Sequence, residues 1–302
     1  MTSLWDDLDS LVNSPSSFEA TTGERGTIKP KANFDAGDDA VELRKAIEGL
    51  GTKDKVLIDI LTHRSSAQRQ LICEAYLEAT GRGAGTKDSV LIEIFASRSN
   101  QQIKALSDVY LEETEKKLTR DLKKEISGDF SNALLLLAEG KRDDSTAVDA
   151  EKAKEDAKTL YDAGEKKWGT DESKFVDILC HRSIPQLRQT LVEYKNISGK
   201  TLQQSIEGEM SGELEELLVA IVKCVKSEPA YFAERLYESM KGCGTDESTL
   251  NRIMVSRSEI DMLDIRAEFK KLYEYSLHSA IESDCRGKWE KSLLKMCGGD
   301  DE

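Results

Sequence analysis

Three glycine turns in this sequence are each followed, at one fixed distance, by an acidic residue, and together they could bind a metal ion. A Gly-x-Gly-Thr turn has its last glycine at Gly85 and again at Gly244, and a Lys-Trp-Gly-Thr variant has it at Gly169. Forty residues later stand three acids: Glu125, Glu209 and Asp284. A calcium ion takes six to eight oxygens, which the carbonyl groups of a glycine turn and one bidentate carboxylate can supply together. The spacing therefore predicts three calcium sites.

A simpler interpretation of these turns stays open. The turn can be a plain connector whose threonine caps a helix, and the acid can be a helix cap. That interpretation does not explain why the two recur three times at one distance. A fourth turn, Gly49–Thr52, has Leu91 at the corresponding position, so we expect it to lack a complete calcium site.

The turns belong to a longer repeat. Thirteen residues after the last glycine of each copy comes an arginine followed by serine, and twenty-five residues after it comes an aromatic residue. The four arginines are Arg64, Arg98, Arg182 and Arg257. A residue type present in every copy favours an architectural role over a catalytic one, with the guanidinium binding carbonyl groups at helix ends.

The segments between these marks have helical periodicity. After Gly244 the apolar residues Leu250, Ile253 and Met254 recur at three- and four-residue steps, and threonine followed by an acid is a typical helix start. We predict an all-α protein with five helices in each full repeat.

Composition restricts the function classes. The 302 residues carry a net charge of −14, which opposes binding to nucleic acid and to anionic lipid alike, so a membrane role requires a bridging cation. No signal peptide or transmembrane stretch stands out. The six cysteines form no CxxC pair, which predicts free thiols in the reducing cytoplasm.

These motifs resemble those of the annexins over nearly all of the chain after residue 26. The resemblance is clearest in Thr249–Asp261 and in the ending Cys297–Asp301. It implies a curved helical disc whose convex face carries calcium sites and docks on acidic phospholipid membranes. It also implies phospholipase A2 inhibition, anticoagulant behaviour or a part in membrane trafficking.

The resemblance also implies which residues bind calcium. Each site combines turn carbonyl groups with one acid, and Trp168 at the tip of the third turn is expected to contact the membrane. The implied second, third and fourth sites are, in order, Gly81, Gly83, Gly85 and Glu125; Gly164, Lys167, Gly169 and Glu209; Met240, Gly242, Gly244 and Asp284.

The spacing of the turns indicates an internal deletion. The last glycines of the first two turns are only 34 residues apart, against 84 and 75 for the later pairs. We therefore predict that the first two repeats are truncated and merged. The predicted segments are a tail and linker over 1–35, a truncated first repeat over 36–82, a second repeat lacking its first helix over 83–143, a third repeat over 144–226 and a fourth repeat over 227–302.

The N-terminal tail is a candidate for a separate interaction. Residues 2–12 place Leu4, Trp5, Leu8 and Leu11 along one helical stripe, which could dock in a groove of an EF-hand protein. A short helix folded back on the protein itself is an equal alternative.

The sequence disfavours two other function classes. A phosphodiester hydrolase is disfavoured because His63 and His181 occupy the same repeat position, which favours a structural role, and no catalytic triad stands out. A helical scaffold that binds partners without calcium is disfavoured by the three retained acids. Beside the fourth site, Arg286 could repel calcium or hold a phosphate, and Cys285 would be redox-active only if exposed.

Overall fold

The computed structural model describes residues 25–32, 34–36, 38–39, 42, 54–65, 67–69, 71–72, 88–165, 169–242 and 244–299. This part of the chain is helical and contains no β-strand, which confirms the all-α prediction. The helices are α1 Asp54–Thr62, α2 Asp88–Ser97, α3 Asn100–Thr114, α4 Leu118–Glu125, α5 Gly128–Ala138, α6 Ala150–Ala163, α7 Glu172–His181, α8 Ile184–Ser198, α9 Leu202–Glu209, α10 Glu213–Lys226, α11 Glu228–Met240, α12 Glu247–Arg257, α13 Met262–Tyr273, α14 Leu277–Asp284 and α15 Gly287–Cys297.

The described residues fall into two compact units. Gly85–Glu228 lies in the first unit, and Ser16–Ala84 with Pro229–Glu302 lies in the second. The second unit is therefore built from two separate stretches of chain, and the first unit is inserted between them. Among the described helices, none is both long and apolar enough to cross a bilayer.

The first unit contains α2–α10. Its most extensive described helix pairing joins α6 to α8, and Ala153, Leu160, Leu187 and Tyr194 of these two helices are all fully buried. Small alanines on α6 let the two helices approach closely, and burying the large side chains of α8 supplies hydrophobic stabilisation. The five helices α6–α10 lie within the predicted third repeat, and α2–α5 lie within the predicted second repeat.

The second unit contains α1 and α11–α15, and α15 packs against both α1 and α12. The linker before the first repeat is attached to the carboxyl-terminal helix: the Thr27 hydroxyl donates to the Met296 carbonyl oxygen at 2.5 Å. Two glycines permit this approach, because a Cβ on Gly26 would meet the Glu259 backbone at 2.3 Å and one on Gly298 would meet Thr27 at 2.6 Å. The contact joins the two stretches of chain that make the unit.

The serine of each Arg-Ser pair begins a helix in three of the copies. The hydroxyl oxygens of Ser65, Ser99 and Ser183 accept hydrogen bonds from the backbone N–H three residues later. That N–H has no partner inside its helix, so the cap satisfies a donor that would otherwise be exposed. The serine thus fixes where the third helix of the repeat starts.

Helices α3, α8 and α13 all end on a residue in the left-handed conformation. The residue is Gly199 after α8, with φ of 72°, but Glu274 after α13, with φ of 66°. A side chain costs about 1–2 kcal/mol in this conformation, and glycine avoids that cost. Glu274 is therefore a strained position that the fold tolerates.

Replacing Glu274 by glycine is expected to raise the free energy of unfolding by about 0.5–1 kcal/mol, because the left-handed strain is removed at a small cost in chain entropy. Urea denaturation at neutral pH measures the change. The control is Glu274→Ala, which removes the same carboxylate but keeps a Cβ. Equal stability of the two variants would show that the strain contributes nothing.

Candidate calcium-binding turns

The fourth turn and its distant acid lie together in the second unit. Asp284 is the last residue of α14, and its carboxylate oxygen Oδ2 accepts a hydrogen bond of 2.5 Å from the Thr245 hydroxyl. Residues 39 positions apart are thereby held at one place. The turn closes on itself as well, because the Asp246 N–H donates to the Ser239 carbonyl oxygen at 2.8 Å.

Glycine is required in the fourth turn by its backbone. Gly242 and Gly244 have φ of 103° and 101°, values that residues with a Cβ rarely adopt. No atom lies within 4 Å of a Cβ built on either residue, so the space beside the turn is open. Met240 ends α11 just before it and is buried. The turn offers carbonyl groups beside open space, with one carboxylate attached through Thr245.

The third turn repeats this arrangement in the first unit with one difference. Thr170 again reaches the end of the fourth helix of its repeat, but its hydroxyl donates to the backbone carbonyl oxygen of Glu209 at 3.3 Å rather than to the carboxylate. Gly169 has φ of 86°, and the N–H of Gly164 still donates to the Leu160 carbonyl oxygen of α6 at 3.1 Å. The structure brings Gly169 and Glu209 together through Thr170.

The remaining predicted site residues lie outside the described part of the chain. They are Lys167 and Trp168 of the third turn and Gly81, Gly83 and Gly85 of the second. Glu125 is placed as the last residue of α4, but its side chain is not described. The first turn, Gly49–Thr52, and the tail over 2–12 also lie outside the described residues, so the calcium-binding and docking interpretations of them stay predictions.

The donor chemistry of the fourth turn fits calcium. Among the described residues, no group of three or more His, Cys, Asp or Glu side chains could hold a metal ion. A site at the turn must therefore draw most of its oxygens from the backbone, which calcium accepts and zinc does not favour. One carboxylate beside two left-handed glycines matches that requirement.

A second acid in the third turn has a different role. The Glu165 carboxylate oxygens accept hydrogen bonds from the Lys200 ammonium at 2.9 and 3.0 Å, and one of them also accepts from the Ser205 hydroxyl at 3.0 Å. The Lys200 bond is the main reason that the pKa of Glu165 is lowered, and Ser205 adds to it. This contact attaches the turn to the start of α9. Sequence reasoning missed it because the fourth repeat has Tyr275 and Ala280 where the third has Lys200 and Ser205.

Arg286 and Cys285, beside the fourth site, have structural rather than chemical roles. One guanidinium nitrogen of Arg286 lies within 2.9 Å of the carbonyl oxygens of Glu282, Ser283 and Cys285, so it caps the carboxyl end of α14. The Cys285 thiol is fully buried, and burial raises its pKa to about 11. The condition under which Cys285 would be redox-active is therefore not met.

Among the described residues, three of the four repeated arginines pair with carboxylates, which the prediction of helix-end carbonyl partners did not include. Arg64 also donates to the His63 carbonyl oxygen at 3.2 Å. Arg64 pairs with Asp39 through two nitrogens, Arg182 pairs with Asp156 at 2.7 and 3.0 Å, and Arg257 pairs with Asp261 at 2.8 and 2.6 Å. In the second repeat, Arg98 donates to the Ser97 hydroxyl at 2.7 Å. Two-pronged ion pairs of this kind hold a planar guanidinium in one orientation.

Comparison with known proteins places these features in one family. The sequence model of the annexin family matches four segments of the chain, residues 38–83, 77–137, 155–221 and 231–296. The first match is the shortest of the four.

Individual relatives cover almost the same length. The chain is 50% identical to human Annexin A3, with 92% of this chain and 98% of that protein aligned. A solved structure of annexin III is also 50% identical, with a TM-score of 0.81 over 92% of this chain and 98% of the other. Calcium-bound annexin (Sm)1 is 32% identical, with a TM-score of 0.69 over 93% and 95% of the two chains.

Proposed function

Since this chain belongs to the annexin family, we propose that calcium ions join its glycine turns to the headgroups of acidic phospholipids, so that it binds membranes only when calcium rises. Family membership supports calcium-dependent phospholipid binding in general. The observation that carries the proposal to particular residues is the hydrogen bond between Thr245 and Asp284, which attaches the predicted acid to the fourth turn.

In this proposal the ligands are the turn carbonyl groups and one acid at each site. The second site uses Gly81, Gly83, Gly85 and Glu125, the third uses Gly164, Lys167, Gly169 and Glu209, and the fourth uses Met240, Gly242, Gly244 and Asp284. Calcium supplies a charge that can bind protein oxygens and lipid phosphate at once. One carboxylate per ion gives weak affinity in solution, and several sites on one membrane gain by avidity.

The finer parts of the function are proposals as well. A protein that covers acidic lipid would deny that surface to phospholipase A2 and to clotting factors, and it could take part in membrane trafficking. Annexins are generally non-enzymatic, and we extend that to this chain. We place it in the cytoplasm, with Trp168 against the lipid and residues 2–12 available to an EF-hand protein.

The repeat boundaries are proposed from the turn spacing. We propose truncated repeats over 36–82 and 83–143, produced by one internal deletion, and complete repeats over 144–226 and 227–302. Residues 67–69 and 71–72 are helical. In an ordinary repeat, residues at these positions follow the start of the third helix. A helix running on from them is the candidate for the missing first helix of the second repeat.

Co-sedimentation with vesicles of phosphatidylserine and phosphatidylcholine tests the function. The full chain is expected to pellet with the vesicles in calcium and to stay in the supernatant with chelator or with phosphatidylcholine alone. Circular dichroism establishes that the sample is helical. A helical chain that fails to pellet in calcium overturns the proposal.

A further inference from the structure

Helix α4 and the two residues before it carry a dense group of cations on an acidic protein. Five basic residues, all exposed, lie within nine positions that contain one acid, Asp121. They are Lys116, Lys117, Arg120, Lys123 and Lys124. The whole chain has a net charge of −14, so this is a local reversal of the prevailing charge.

The cations of α4 lie on the solvent side of the helix. Leu122 is buried on the opposite side, with 6% of its surface exposed, whereas the Lys124 side chain is 57% exposed. Asp121 is turned towards α3: one of its carboxylate oxygens accepts from the Tyr110 hydroxyl at 3.1 Å and the other from Lys124 at 3.0 Å. The exposed stripe is therefore formed by lysines and an arginine.

The corresponding helices of the later repeats do not carry this charge. Where α4 has Lys123, α9 has Glu207 and α14 has Glu282, all on the same helical position of the repeat. Since two equivalent helices fold with an acid there, the fold does not require the lysine. The basic stripe must be explained by something other than packing.

The stripe ends at Glu125, the acid of the predicted second calcium site. In the third and fourth repeats the last residue of the corresponding helix, Glu209 or Asp284, lies against the glycine turn. Glu125 holds that position in α4, and Lys123 and Lys124 precede it by one or two residues, a rise of about 3 Å or less along the axis. A membrane held at the turn would thus lie within the Debye length, about 8 Å at physiological ionic strength.

We propose that Lys123 and Lys124, supported by Arg120, bind the phosphate groups of acidic lipids directly, without calcium between them. This inference rests on the proposed function, because calcium at the turns must first bring the acidic protein to the membrane. A lysine near an anionic leaflet strengthens binding by about fivefold, so two lysines contribute up to about thirtyfold. The stripe thereby offsets part of the repulsion between a protein of charge −14 and its target.

The test compares two double variants of the full chain with the same change in charge. One is Lys123→Gln with Lys124→Gln. The control is Lys141→Gln with Lys154→Gln, two exposed lysines in the first unit, each of which pairs with a nearby glutamate. Partitioning onto phosphatidylserine vesicles is measured at saturating calcium in about 0.15 M salt and again in about 1 M salt, where the Debye length falls to about 3 Å.

The α4 variant is expected to partition about ten- to thirtyfold less than the wild type at the lower salt, while the control stays within about twofold. The difference should shrink at the higher salt. Equal partitioning of the two variants overturns the inference. So does a variant that retains lipid binding but loses binding to poly(U), since that result would make the stripe a nucleic-acid contact. If the wild-type chain does not bind the vesicles in calcium, the proposed function is overturned, and this inference with it.

Discussion

Replacing Asp284 by alanine is expected to raise the calcium concentration for half-maximal vesicle binding by about tenfold or more. The variant removes the acidic ligand of the fourth site, and the backbone oxygens that remain bind calcium too weakly to replace a bidentate carboxylate. Loss of one site also lowers the avidity of the whole chain for the membrane. Co-sedimentation across a calcium titration measures the midpoint.

Two further variants separate this effect from a general loss of negative charge. Thr245→Val removes the hydroxyl that donates to Asp284, so the carboxylate loses its orientation but not its charge, and we expect a smaller shift of about threefold. Glu282→Ala, an exposed acid of the same helix, should not raise the midpoint and should lower it slightly, because it removes a negative charge near the membrane without touching Thr245. A midpoint for Asp284→Ala that matches Glu282→Ala would contradict the assignment of the fourth site.

Replacing Asp261 by asparagine is expected to lower the free energy of unfolding by about 3 kcal/mol. The side chains of Asp261 and Arg257 are each only 3% exposed, and the guanidinium also lies 4.5 Å from the centre of the Phe232 ring. Removing the Asp261 charge breaks a buried, two-pronged ion pair, and breaking such a pair costs several kcal/mol. Urea denaturation, followed by circular dichroism, measures the loss.

Asp264→Asn is the matched control, because it makes the same change three residues away in a solvated pair. Its partner, Arg25, is 53% exposed, and ion pairs in water contribute about 1 kcal/mol or less. If both variants lose the same stability, burial of the Arg257 pair has no special importance for the fold.

The turns and their acids could be predicted from sequence because one distance recurs. In every copy that keeps both residues, the acid follows the turn threonine at the same number of residues, as Asp284 follows Thr245. Comparing the sequence with itself therefore finds the pair. The aspartates that bind the repeated arginines follow no such rule. Asp39 and Asp156 lie 25 and 26 residues before their arginines, whereas Asp261 lies four residues after its own. The arginine repeats, but its partner comes from different elements.

Contacts that occur in one repeat alone were beyond sequence reasoning for a related reason. Glu165 binds Lys200 in the third turn, and no other copy has both residues, so comparison between repeats gives no signal. For Arg286 the sequence left two alternatives, repelling calcium or holding a phosphate, and neither anticipates that it caps a helix. Its carbonyl partners in α14 depend on which way a long side chain turns, and spacing does not specify that.

The insertion of the first unit into the second has a consequence for the order of events on the ribosome. The stretch Ser16–Ala84 of the second unit is translated before the first unit, but Pro229–Glu302, the other stretch of the second unit, is translated only after the whole of Gly85–Glu228. At about 5–20 residues per second that delay is on the order of ten seconds. The first unit can complete its core during this interval. Ile60 and Ile72, which are buried in the folded chain, belong to the second unit, which still lacks Pro229–Glu302 at that stage. The hydrogen bond from Thr27 to Met296 can form only after the whole of Gly85–Glu228 has been translated, so the second unit is completed after the first.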